Sequence, residues 1–240
     1  MKTLLLFIPL FVFAVSFGKN KLLIAADPLI GAWQQTVNGN NCIMVFEDGY
    51  FTHTTYDVAS KRFVETHGGT FNLQNNTLQR TLEFDTRNSS EVGATNTYTI
   101  SFANNQLTIT DAAGKSVWNR VDNGTENLAG TWKITARMQD GKITPIHQTG
   151  ARKTLKILSG TRFQWAAINP DTKEFFGTGG GTYTFTNGKY TEHIEFFSRD
   201  SSRVGAALTF DGKLENGDWH HSGKSSRGDD IYEVWSRINK

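Results

Sequence analysis

Ser201-Ser202-Arg203-Val204-Gly205 repeats Ser89-Ser90-Glu91-Val92-Gly93 at a distance of 112 residues. The same spacing relates Gly180-Gly181-Thr182-Tyr183 to Gly68-Gly69-Thr70-Phe71, and Ile194-Glu195-Phe196 to Leu82-Glu83-Phe84. Further out, Leu128-Ala129-Gly130-Thr131-Trp132 returns Leu29-Ile30-Gly31-Ala32-Trp33. At the far end, Val234-Trp235-Ser236-Arg237-Ile238 returns Val117-Trp118-Asn119-Arg120-Val121, now 117 residues on. A constant offset through the middle, with length changes near the ends, identifies a duplicated domain. The boundary falls in Asp122–Asn127, a polar, glycine-containing linker. The first copy spans roughly 28–122 and the second roughly 127–240.

Each copy is patterned with a period of two. Along Lys189–Phe196, one face carries Tyr190, Glu192, Ile194 and Phe196, and the other Thr191, His193 and Glu195. Leu107–Thr110 and Thr182–Phe185 alternate too. Asn75-Asn76, Asn104-Asn105, Asn187-Gly188 and Asp211-Gly212 read as hairpin turns. Gly177–Gly181 reads as a turn leading into a strand, because no lysine and no helical pattern follow to make a phosphate loop. No segment shows a helical stripe of several turns. About eight short strands per copy favour an up-and-down barrel over a β-sandwich.

Composition sets the bounds. Of 240 residues, 38% are hydrophobic and 20% charged, enough for a packed core and too apolar for disorder. The net charge of +2, without any Lys/Arg run, gives no reason to expect a nucleic-acid partner. Met1-Lys2-Thr3 is followed by an apolar run from Leu4 to Val15 and by Ser16-Phe17-Gly18. This is the layout of a secretory signal peptide over residues 1–18. The run is short for a membrane helix, which takes about 20 residues. A secreted or periplasmic protein with no membrane insertion after cleavage is therefore expected. Cys42 is the single cysteine. It opens the apolar stretch Cys42–Phe46, so packing is expected of it rather than chemistry.

Each copy opens with Gly-x-Trp and closes with an arginine-bearing strand: Gly31 and Trp33 with Arg120, Gly130 and Trp132 with Arg237. This pairing resembles the lipocalin and wider calycin signature. Glu233-Val234-Trp235-Ser236-Arg237 also resembles the ending of secreted lipocalin-like domains common in Bacteroidetes. The resemblance implies an all-β protein: two tandem antiparallel up-and-down β-barrels after an N-terminal signal peptide. It implies that Trp33 and Trp132 plug the closed barrel ends, with Arg120 and Arg237 packed across them as structural residues. The chain departs from the pattern in having Ser116 where the second copy has Glu233. It also lacks the usual disulfides and a C-terminal helix.

Barrels of this size hold one small ligand, lined by alternate residues. In the second copy Phe163, Trp165, Tyr183, Tyr190, Glu192, Trp219, His221 and Glu233 are the candidate ligand-binding residues. Two inward carboxylates need donors, for which Arg152 and Tyr190 are candidates. In the first copy Arg80 takes the position of Glu192, Leu78 that of Tyr190 and Ser116 that of Glu233. The charge is reversed, so the two copies should not share a ligand. His220 and His221 point to opposite faces of one strand, and no cofactor, metal site or catalytic motif is expected. The favoured function is non-enzymatic binding of a small apolar or amphipathic molecule, with the pocket in the second barrel. The alternatives are a hydrolase or lyase-type enzyme using Glu192, His221 and Glu233, and a structural interaction module with filled barrels.

Overall fold

A computed structural model describes residues 27–147, 150–225 and 227–238. The proposed signal peptide lies outside the described residues. The first copy contains strands β1 (Gly31–Val37), β2 (Asn40–Glu47), β3 (Tyr50–Asp57) and β4 (Arg62–Gln74). They continue into β5 (Thr77–Asp85), β6 (Thr95–Ala103), β7 (Gln106–Asp111) and β8 (Gly114–Asp122). Each pairs antiparallel with the next, and β8 returns to β1, so the sheet closes into a barrel of eight strands.

The second copy contains β9 (Gly130–Gln139), β10 (Lys142–Pro145), β11 (Lys153–Leu158), β12 (Arg162–Asn169) and β13 (Glu174–Thr186). It ends with β14 (Lys189–Phe197), β15 (Ala207–Glu215), β16 (Asp218–Lys224) and β17 (Asp230–Arg237). The β9–β17 pairing closes eight of these strands into a second antiparallel barrel. The ninth, β10, pairs only with the far half of β9, beyond the stretch that β11 covers. The fold is thus all-β, with two antiparallel eight-stranded barrels in tandem.

The repeated motifs have physical roles. Ser-Ser-x-Val-Gly forms a short 3-10 turn between β5 and β6, and again between β14 and β15. Asn88 and Asp200 cap these turns by accepting from the backbone N–H of Ser90 and Ser202. Val92 and Val204 are buried beneath them. The Gly-Gly pair marks a β-bulge on β4 and on β13, with register shifts at Gly68/Gly69 and Gly180/Gly181. A Cβ on Gly181 would stand 2.0 Å from the His193 carbonyl oxygen, and one on Gly180 would meet the Phe196 ring at 2.5 Å. Gly177–Gly181 therefore lies inside β13, not in a turn before it. Asp211-Gly212 is likewise within β15, where the Phe185 ring crowds the bare face of Gly212; the turn is Asn216-Gly217. Asn104-Asn105 and Asn187-Gly188 do turn, with positive φ at both residues as type I′ hairpins require.

Each barrel has its own core at one end. The Trp33 indole donates to the Leu29 carbonyl at 2.9 Å, and Trp132 donates to Leu128 at 2.9 Å. The Arg120 guanidinium lies 4.0 Å from the Trp33 ring centroid, and Arg237 lies 4.5 Å from that of Trp132. Arg120 also donates to the Ile30 carbonyl at 3.0 Å, whereas Arg237 pairs with Asp48 of the first barrel.

The two barrels share a third core. β2 and β11 are covered on both faces. Met44 and Phe46 point into the first barrel, while Ile43 and Val45 point out. Likewise Lys156 and Leu158 point into the second barrel while Leu155 and Ile157 point out. The outward residues meet each other and Tyr56, Phe84, Ile168 and Phe196 in one apolar cluster. Burying each large side chain contributes about 1.5–3 kcal/mol, against about 0.5–1.5 kcal/mol for an ordinary hydrogen bond. The apolar cluster therefore holds the barrels together. Polar contacts fix their register. Gln164 accepts from Thr54 at 2.8 Å and donates to Thr66 at 3.0 Å. Asp122 accepts from Ser159, Gly160 and Thr161. Glu195 joins Tyr56 to Arg162, as Glu83 joins Tyr50 to Lys153.

Candidate functional site

A cavity of about 220 Å³ lies inside the second barrel, away from the Trp132 plug. Its floor is charged. β11 supplies Lys156 and β14 supplies Glu192, strands that are not neighbours in the sheet. Their side chains meet across the lumen at 2.7 Å with almost no exposure. β16 and β17 pair His221 with Glu233, and His221 Nδ1 lies 3.4 Å from Glu233 Oε2. The Trp235 indole donates to the same carboxylate oxygen at 3.0 Å. The walls are apolar: Trp165, Ile194, Phe197, Leu208 and Phe210. Arg203 stands at the rim, held by Asp200 at 3.0 Å.

The Lys156 ammonium is ringed by aromatic faces. Tyr190 and Trp219 centroids lie 5.2 Å away, Trp235 5.3 Å and Phe163 5.9 Å. These ring faces favour a buried cation. Burial pushes His221 below the ordinary imidazole range, Glu233 pulls it back up, and the Lys156 charge depresses it further. Burial pushes Glu233 up, but the His221 imidazole beside it, the Lys156 charge and the Trp235 N–H together hold it below the usual carboxylate range. The floor therefore pairs one cation with one carboxylate and keeps a second carboxylate beside a neutral imidazole. Such a floor orients a ligand's polar end while the walls take an apolar body.

The sequence-derived candidates divide. Trp165, Glu192, His221 and Glu233 line the cavity. Phe163, Tyr183, Tyr190 and Trp219 do not. They belong to the packed core beneath it, where Tyr183 donates to the Ser159 carbonyl at 2.6 Å. Phe163, Tyr190 and Trp219 ring Lys156 from below, and Tyr190 and Trp219 also pack against His221. Arg152 is not the donor for either carboxylate; it stacks on Phe176 at 4.4 Å. Lys156, Phe197, Leu208, Phe210 and Trp235 are lining residues that the sequence reading did not name as candidates. Among the described residues, no group of three or more His, Cys, Asp or Glu side chains is arranged to hold a metal ion. Cys42 is buried, and burial raises its thiol above the ordinary range.

The first barrel has a cavity of about 350 Å³ at the matching place. Met44 stands where the second barrel has Lys156, Arg80 where it has Glu192, and His53 where it has Trp165. Ser116 replaces Glu233, yet it still receives the indole N–H, here from Trp118 at 3.0 Å. Burial, His67 and Arg80 together hold His53 well below the ordinary imidazole range. Burial and Arg80 lower His67 to about 4, against an opposing pull from Asp85.

Both imidazoles are thus neutral in the fold and protonate once the chain unfolds. Between the ordinary imidazole range and about 4 the unfolded state binds more protons. Stability is complete above that window and falls as pH drops through it. The melting temperature is expected to decline between pH about 7.5 and about 5. In the His53→Gln/His67→Gln variant this decline should shrink to the balance between His221, which acts in the same sense, and Glu47, whose carboxyl burial pushes up to about 9 and which acts in the opposite sense. An unchanged slope in that variant would contradict the assignment.

No protein-family model matches the chain, and no curated protein shows significant similarity to it.

Proposed function

We propose that this protein is an exported, non-enzymatic binding protein of lipocalin-like, calycin type that takes one small amphipathic molecule in its second barrel. The observation that carries this reading is the apolar-walled cavity of about 220 Å³ closed at its floor by Lys156–Glu192 and His221–Glu233. At about 220 Å³ the cavity is smaller than most ligand pockets, which limits the ligand to a small molecule, yet it leaves the barrel unfilled by its own side chains. Glu192 is held by Lys156, so only Glu233 is placed for proton transfer, which supports binding over paired-carboxylate catalysis. The export reading rests on the leader-like residues 1–18.

Native mass spectrometry of the exported protein should recover it with a small molecule bound. Glu233→Gln keeps the shape and the Trp235 contact but removes the charge. Its affinity for that molecule should fall about tenfold or more, as expected for one charge-assisted hydrogen bond. The bound molecule should come off chemically unchanged from the wild type. Repeated recovery of empty protein, or recovery of a converted product lost in Glu233→Gln, would overturn this reading.

A further inference from the structure

We infer that the first barrel is a separate site, for a small organic carboxylate, with Arg80 as its anchor. The argument starts from a missing partner. In the second barrel the charge at the matching position, Glu192, is neutralised by Lys156. In the first barrel the neutralising position is Met44, which cannot carry charge. Arg80 is nonetheless buried, at 7% exposure. Among the described residues no carboxylate pairs with its guanidinium. Its one hydrogen bond among the described residues runs from Nη1 to the Met44 sulfur at 3.9 Å, and its Nε–H has no hydrogen-bond partner. The Tyr98 and Phe51 ring faces lie 4.0 and 5.1 Å from the guanidinium carbon. They hold the side chain in place without neutralising it.

An arginine in a low-dielectric lumen with an unused N–H is costly unless an anion completes it. The guanidinium edge matches a carboxylate, whose two oxygens accept parallel N–H bonds. A second polar atom waits in the same cavity. His53 is half-buried, and its Nε2 is buried without a hydrogen-bond partner. As a neutral imidazole, it can meet a ligand oxygen without adding charge. Three carboxylates also border the cavity, but they are engaged or exposed. Asp85 accepts from the backbone N–H of Arg87 and Asn88, Asp111 accepts from Ala113 and Gly114, and Glu91 is exposed on its 3-10 turn. The rest of the wall sets apolar Leu82, Ile109 and Trp118 beside polar Gln35, His67, Asn96 and Ser116, which leaves one apolar face for a small flat or aliphatic body behind the acid. The ligand class is therefore a small monocarboxylate, not a multiply charged phosphate.

The test uses the full chain with benzoate, the neutral amide benzamide and inorganic phosphate as probes. Titration is followed by the Arg80 guanidinium Nε–H resonance in the wild type and by calorimetry in variants. Benzoate should shift that resonance and raise the melting temperature; benzamide and phosphate should do neither. Arg80→Gln should lose benzoate affinity about 10- to 100-fold, the loss expected for charge-assisted hydrogen bonds. Arg80→Lys should keep part of it. Lys213→Gln, on the exposed outside of the other barrel, should leave it unchanged. The inference fails if benzoate leaves the wild-type Arg80 resonance unmoved at about 10 mM, a very weak interaction on any scale. It also fails if phosphate or benzamide binds as well as benzoate, or if Arg80→Gln retains benzoate affinity.

Discussion

Glu192→Ala is expected to destabilise the chain by about 3–5 kcal/mol, the range for removing one partner of a buried ion pair. Lys156 then keeps its ammonium in the lumen with no counter-charge. Both side chains are nearly inaccessible, at 6% and 7% exposure, and water entering from the cavity carries no counter-charge to replace the lost carboxylate. The four surrounding rings soften the loss, since each contributes about 0.5–2 kcal/mol to holding a cation. They do not replace a full charge. Lys156→Met/Glu192→Leu, which removes both charges and keeps the volume, should recover most of the stability or exceed the wild type. Urea unfolding of the two single variants and the double variant, with the wild type, gives the coupling directly. Additive losses, with a double variant as weak as the sum of both, would show that the pair is not the unit described here.

That ion pair also shows where sequence reading stops. The duplication is legible because motifs such as Ser-Ser-x-Val-Gly keep their 112-residue spacing, and each copy builds the same capped turn. The barrel follows from alternation and turn chemistry, and the reversal of charge between Arg80 and Glu192 follows from the offset alone. Lys156 is hidden for a physical reason. In Lys153-Thr154-Leu155-Lys156-Ile157-Leu158 the apolar residues suggest the inward face, but Leu155 and Ile157 face the other barrel. A strand covered on both sides carries no readable alternation. Its match to Met44 at the repeat spacing is the one signal that places it in the lumen. Period two also gives a face but not a depth. Tyr190 and Glu192 share a face on β14, yet one is packed in the core and the other lines the cavity. Phe163, Tyr183 and Trp219 were beyond sequence reach for the same reason. β10 has no counterpart in the first copy, so the repeat could not announce it.

Trp132→Ala should cost about 3–5 kcal/mol, the usual range for truncating a fully buried tryptophan, and the loss should be felt in both barrels. Trp132 sits on β9, at the seam between the domains. Its indole ties down the linker at Leu128, and its ring carries Arg237, which reaches across to Asp48. The adjacent Thr131 donates its backbone N–H to Asp48 and its hydroxyl to the Glu47 carbonyl. Trp33 occupies the matching place in the first barrel, but there Arg120 turns back to the Ile30 carbonyl of its own domain. Trp33→Ala should therefore cost a similar amount without disturbing the seam itself. Because Ile43, Val45, Leu155 and Ile157 form one shared core, the wild type and Trp33→Ala should each unfold in a single transition. Trp132→Ala, which loosens the seam as well as a barrel, is the variant in which the transition should broaden. Thermal unfolding followed by near-ultraviolet circular dichroism and by calorimetry distinguishes these outcomes. Two separate transitions in the wild type, or equal broadening in both variants, would mean that the barrels do not depend on each other as the shared core requires.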